Sequence, residues 1–185
     1  MRIPVVGFDP SMSNWGIASS ILDLTTGCLD TPELTVVCPI PLAGKQLRVN
    51  SKDLHASEQL AKTAIAEARK AKVVFVEVPV GSQSARAMAS YGMCVGILGA
   101  IRAEGIPLIE VNPSEVKLAM TRDKNATKEQ MISAALEWYP EANFPKHHGK
   151  LSYAKAEHVA DAIGTIHAGV LTPMFQNLMR LYAEV

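Results

Sequence analysis

The chain has 185 residues, 18 Lys+Arg against 18 Asp+Glu, and 48% hydrophobic residues. At about 150 residues per domain that is a single domain, 1–185, able to bury roughly 70% of its unfolded surface without disulfides or a structural metal. The charged fraction of 19% excludes a disordered chain or a coiled coil, and no apolar run reaches the ~18 residues of a membrane span.

Ile3-Pro4-Val5-Val6-Gly7-Phe8-Asp9 predicts a buried strand that stops at an acid followed by Pro10. Trp15 to Leu24 and Glu33 to Pro39 predict two more strands. Their connectors, Ser11-Met12-Ser13-Asn14 and Thr25-Thr26-Gly27, carry turn chemistry, so the three should form an antiparallel meander. From Ser51 to Lys72 the pattern becomes helical, with Leu54, Ala61, Ala64, Ile65 and Ala68 expected on the inner face. Val73 to Glu77 is a fourth strand, again apolar until it ends on an acid. An Ala/Gly/Met-rich helix over Ser84 to Glu104 and a fifth strand over Ile106 to Val111 follow. Strand alternating with helix implies parallel pairing there.

Asn112-Pro113 caps a short helix running through Met120, and Thr127-Lys128-Glu129-Gln130 is a capping box for another reaching about Tyr139. Residues 140–152 read as an exposed loop. A helix over Tyr153 to Leu171 and a short terminal one beyond Pro173 complete an α/β domain. Cys28, Cys38 and Cys94 are odd in number, scattered and without a C-x-x-C pair, as free thiols in a reducing cytoplasm would be. Met1-Arg2-Ile3-Pro4 leads straight into the first strand without a signal-peptide pattern, which gives the same expectation of a cytoplasmic location.

Asp9 and Glu77 each end a run of buried-type residues, where a lone carboxylate is costly unless it is paired, metal-bound or at the solvated sheet edge. In open α/β sheets the carboxyl ends of strands are where ligands bind. His158 and Asp161, three apart in a helical stretch, share a face, and apolar Val159, Ala160, Ala162 and Ile163 around them imply a packed helix whose acid and imidazole point at the sheet edge, the alternative being a His and Asp on its solvent face.

Gly7-Phe8-Asp9-Pro10-Ser11-Met12-Ser13-Asn14-Trp15-Gly16 resembles the first-strand motif of the RuvC Holliday-junction resolvases, within the RNase H-like superfamily. Val74-Phe75-Val76-Glu77 resembles that family's second acidic motif. Val111 to Lys117, with Ala126 to Gln130, resembles its two-lysine segment, and His158-Val159-Ala160-Asp161-Ala162 its closing acidic pair. The four follow in family order.

The resemblance implies an RNase H-like mixed five-stranded sheet, three strands antiparallel and then two parallel, flanked by helices. It implies a metal-dependent endodeoxyribonuclease that resolves four-way (Holliday) junctions as a homodimer in a bacterial or phage-infected cell. Asp9, Glu77, His158 and Asp161 would be the catalytic and metal-binding residues, holding two Mg²⁺ or Mn²⁺ ions, with no membrane involved. Lys117 and Lys128 would contact DNA beside the scissile phosphate. Glu157, about 100° round the helix, is left outside the metal site. The helix with Met88, Tyr91, Cys94, Val95 and Leu98 would supply the dimer face. A broader RNase H-like nuclease and a non-catalytic junction-binding protein are the alternatives. Val78-Pro79-Val80-Gly81 lacks the aromatic wedge common after the second motif. That, with the divergent segment between Leu29 and Val49, suggests a phage or plasmid origin. Between Lys117 and Lys155 seven basic residues face four acidic ones, a balance of +3, and Lys146-His147-His148-Gly149-Lys150 adds a loop that could contact DNA.

Overall fold

A computed structural model describes residues 1–44 and 47–183. Five strands, β1 (Arg2–Asp9), β2 (Trp15–Asp23), β3 (Glu33–Val37), β4 (Val73–Glu77) and β5 (Leu108–Val111), form one sheet in the order β3-β2-β1-β4-β5. β1 pairs antiparallel with β2, and β2 with β3; β1 and β4, and β4 and β5, run parallel. This is the mixed sheet anticipated from the sequence, with strand boundaries shifted by one or two residues.

The helices form a layer on each sheet face. On one side lie α1 (Val49–Ala68) and α2 (Ala85–Ala103), packed on Val6, Phe8, Ile17, Val74 and Val76. On the other lies α5 (Tyr153–Gly169), packed on Val5, Ala18, Phe75 and Ile109. Against it sit α3 (Pro113–Thr121) and α4 (Lys128–Trp138), and α6 (Pro173–Ala183) reaches the sheet itself, with Phe175 against Phe75 of β4 at 5.3 Å. The twofold alternation of strand side chains divides these cores. Val5, Gly7 and Asp9 on β1, with Val73, Phe75 and Glu77 on β4, therefore share the α5 side.

Local capping sets two helix starts. Asn112 accepts from the backbone N–H of Ser114 and Glu115, and Thr127 from that of Gln130, each closing a complete capping box. Three expectations are corrected. Leu54 points outward and is 71% exposed, because the inner stripe of α1 is Leu60, Ala64 and Ala68, four residues apart. Residues 140–152 include a short antiparallel hairpin, β6 (Lys146–His147) and β7 (Lys150–Leu151), because His148 and Gly149 adopt the left-handed conformations of a two-residue turn. On α2, Cys94 and Leu98 belong to the chain's own core, leaving Met88 and Val95 on the outer face. Among the described residues no helix is long and apolar enough to cross a membrane. Cys28 and Cys38 are exposed free thiols and Cys94 is a buried one.

Candidate active site

Asp9 is the last residue of β1 and Glu77 the last of β4. The parallel register places Phe8 opposite Val76, which brings the two carboxylates side by side at the carboxyl edge of the sheet. Phe8 and Trp15, both fully buried and edge to face at 5.8 Å, fix the ends of β1 and β2 from the opposite face.

Two glycines bring the third element in. A Cβ at Gly7 would fall 2.0 Å from the carbonyl oxygen of Ala162, and one at Gly16 would fall 2.1 Å from that of His158. Only residues without side chains allow α5 to lie this close to β1 and β2. The close approach sets His158 beside Asp9, and the three-residue helical spacing turns Asp161 to the same side. The buried hydroxyl of Thr165 donates to the carbonyl of Ala162, one turn further along.

The Nδ1–H of His158 donates to Oδ2 of Asp9 at 2.5 Å, with both side chains 16% exposed. On its other side, Nε2 of His158 lies 3.6 Å from Oε1 of Glu157. Glu157 in turn binds Nζ of Lys128 at 2.9 Å. The imidazole thus sits between two carboxylates. Burial alone would lower its pKa, but the bond to Asp9 and the charges of Asp9, Glu157 and Asp161 outweigh that and raise it.

Burial pushes Glu77 up to about 8; the charges of Asp9 and Asp161 add to the rise and Lys117 opposes it. Burial likewise pushes Asp161 up to about 7, with Asp9 and Glu157 adding and His158 and Lys117 opposing. Asp9, Glu77, His158 and Asp161 therefore share one electrostatic site. Lys117, on α3, is near enough to act on two of the acids, and Lys128 borders the site through Glu157.

Sequence spacing left Glu157 outside this group. A 100° rotation separates the backbone positions, but a glutamate side chain is long enough to swing back to the neighbouring imidazole. An acid adjacent to a motif histidine, with a lysine available on another helix, was the available signal.

The site fits divalent cations by its chemistry. Three clustered acids and one imidazole form an oxygen-rich donor set suited to Mg²⁺ or Mn²⁺. Glu77 and Asp161 are largely buried, repel one another and have no ion-pair partner among the described residues, a cost that a cation would relieve. Among the described residues no three His, Cys, Asp or Glu side chains already converge in a metal cage, so ligation requires side-chain adjustment.

No family model matches the sequence, and no curated protein matches it. Solved structures do match in three dimensions. Thermus thermophilus RuvC in complex with a Holliday junction substrate superposes with a TM-score of 0.62 at 18% identity, over 90% of this chain and 92% of that one. Thermus thermophilus RuvC alone gives 0.61 at 18% identity, over 97% and 96%. The Fowlpox virus resolvase complexed with substrate Holliday junction DNA gives 0.56 at 14% identity, over 95% and 99%. With its β3-β2-β1-β4-β5 sheet and its helical layers, the chain has the RNase H-like fold of RuvC.

Proposed function

We propose that the chain is a metal-dependent endodeoxyribonuclease that resolves four-way DNA junctions. The observation that carries this reading is the meeting of Asp9, Glu77, His158 and Asp161 at the carboxyl edge of β1 and β4, in a fold shared with two junction resolvases. Asp9, Glu77 and Asp161 would hold the cations, Mg²⁺ or Mn²⁺, with Asp9, whose charge acts on both other acids, as the central ligand. Two such ions, when bound, make a nucleophile from water near neutral pH and offset charge on the leaving oxygen.

The protein's own groups do the rest. His158 donates its Nδ1–H to the Asp9 carboxylate and holds it in orientation, while its Nε2 faces Glu157 at 3.6 Å. Lys117 and Lys128 bring positive charge to the scissile phosphate, and Glu157 holds the ammonium of Lys128 until phosphate competes for it.

Symmetric nicking of two strands needs two copies, and α2 offers the face for that pairing. Met88 and Val95 are 46% and 44% exposed, and a Cβ at Gly92, Gly96 or Gly99 would meet nothing within 4 Å. In the β4–α2 connection the exposed apolar side chain is Val80, without an aromatic ring, so opening of the junction centre relies on other groups.

The test is cleavage of a mobile synthetic four-way junction in Mg²⁺ and in Mn²⁺, with linear duplex and RNA–DNA hybrid as controls. Paired symmetric nicks at the junction are the expected result. Equal cleavage of the controls would favour a broader nuclease, and binding without cleavage in either metal would leave an architectural protein. Asp9→Asn should abolish cleavage while junction binding stays equal or tightens, because a negative charge near phosphate is removed.

A further inference from the structure

The β6–β7 hairpin takes no part in the chemistry above, yet it sits at the same edge of the molecule. α5 lies with His158 over Gly16 and Ala162 over Gly7, so it runs from beyond the end of β1 back across the sheet. The hairpin joins the start of α5 at Tyr153, five residues before His158, or about 7.5 Å along the helix axis. The start of α5 therefore projects past the edge that carries Asp9 and Glu77, and the hairpin is attached there, its base held on the β3 side through Asn143 and Leu34.

The tip is charged and has nothing to do for the fold. Lys146, His147, His148, Gly149 and Lys150 are all exposed, and residues 142–156 contain no Asp or Glu. Neither lysine pairs with a carboxylate among the described residues. His147 and His148 stack edge to face at 4.1 Å.

The shape is nonetheless well defined. Lys146 pairs with Leu151 and His147 with Lys150. His148 (φ 49°) and Gly149 (φ 76°) make the turn, and a left-handed residue other than glycine costs roughly 1–2 kcal/mol, which the strand pairing must overcome. The base is pinned to the sheet. The Leu34 N–H donates to Oδ1 of Asn143 at 2.7 Å, Nδ2 of Asn143 donates to the Leu34 carbonyl at 3.0 Å, and the adjacent Phe144 is buried in the core. The Ser152 N–H donates to the Pro145 carbonyl at 2.9 Å, closing the hairpin below its strands.

We propose that this hairpin grips the phosphate backbone of a DNA arm leading away from the scissile position. Lys146 and Lys150 supply the ion pairs, and His147 and His148 donate hydrogen bonds to phosphate oxygens. A pinned base and a fixed turn present these donors with little ordering cost on binding. The assignment rests on the nuclease reading above and adds a binding element apart from the catalytic residues.

The test measures binding of a synthetic four-way junction across salt concentrations, in the full chain carrying Asp9→Asn. With ~0.9 of slope per phosphate contact, adding K146S/K150S should lower the slope of log K on log salt by about 1.8. Between ~50 and ~200 mM salt the parent's advantage then shrinks about 12-fold. H147S/H148N, which keeps a left-handed-tolerant residue at the turn, should weaken binding without changing the slope. K62S, on the outer face of α1, should leave both affinity and slope at parent values. A K146S/K150S protein with the parent's slope would overturn the hairpin's role while the parent still bound. Failure of the parent to bind any DNA would instead overturn the nuclease reading, and the hairpin's role with it.

Discussion

Gly16→Ala inserts one methyl group between β2 and α5, and the structure gives its consequences a size. The new carbon would stand 2.1 Å from the carbonyl oxygen of His158 and 2.5 Å from its carbonyl carbon. Real contacts of this kind stop near 3.0 Å, so strand and helix must separate by at least 3.0 − 2.1 = 0.9 Å. The obstructing atoms are backbone, so no rotamer change relieves the clash. β2 is held on both sides by β1 and β3, which leaves α5 to move. The shift falls on His158, whose 2.5 Å bond to Asp9 would lengthen by a comparable amount and lose most of its strength. Overpacking of this kind costs about 1–3 kcal/mol, or roughly 2–12 °C in melting temperature for a chain of this size. A catalytic group misplaced by about 1 Å costs on the order of 10² in rate. Single-turnover cleavage of a four-way junction and thermal melting read the two effects. A Gly16→Ala protein that keeps the parent's rate and melts within about 1 °C of it would refute the claim that close approach of α5 positions the site.

Other outcomes follow from the same geometry. Lys117→Ala should weaken junction binding and lower the salt slope by about one, and an unchanged slope would show that Lys117 touches no phosphate. Glu77 at about 8 and Asp161 at about 7 lie above the unfolded carboxyl range, so the native chain holds protons that the unfolded chain has released. Stability without metal should therefore fall as pH rises from about 4.5 through about 8. His158 acts in the same direction, its raised pKa stabilising the fold at low pH and ceasing to do so as pH rises through the raised value. Burial lowers His167 to about 4, which works oppositely, adding stability as pH rises from about 4 to about 6.5. Melting in chelator should thus drop between about pH 6.5 and 8.5, and Mg²⁺ or Mn²⁺ should raise it more at the upper value. A flat profile with no metal-induced shift would count against the acidic cluster. If α2 forms the proposed pairing face, Gly96→Leu should shift sedimentation from dimer to monomer without unfolding the chain, since a Cβ there meets nothing within 4 Å; a parent that sediments as a monomer would refute the pairing.

Much of this molecule was legible from neighbours along the chain. The five strands, the caps at Asn112 and Thr127, the acids that close β1 and β4, and the shared face of His158 and Asp161 all depend on residues a few positions apart. Twofold and 3.6-fold periodicity encode them directly. The segment from Leu29 to Val49 was less informative, and its residues 45 and 46 lie outside those described. The face that α1 buries was misjudged because several apolar stripes fit its sequence, and only the position of the sheet selects Leu60, Ala64 and Ala68. The hairpin at 146–151 was missed because its strands are two residues long, too short for any periodic signal.

The pairing of elements is where tertiary structure decided the outcome. Gly7 and Gly16 look like ordinary strand residues until α5 is laid within van der Waals reach of them. Glu157 joins Lys128, 29 positions earlier in the chain, because α4 and α5 pack together, and it reaches His158 because its side chain bends back. Local sequence specifies which face each element presents. How closely and at what rotation two faces meet depends on side-chain volumes from distant parts of the chain, and that distance of approach turns four separated residues into one site.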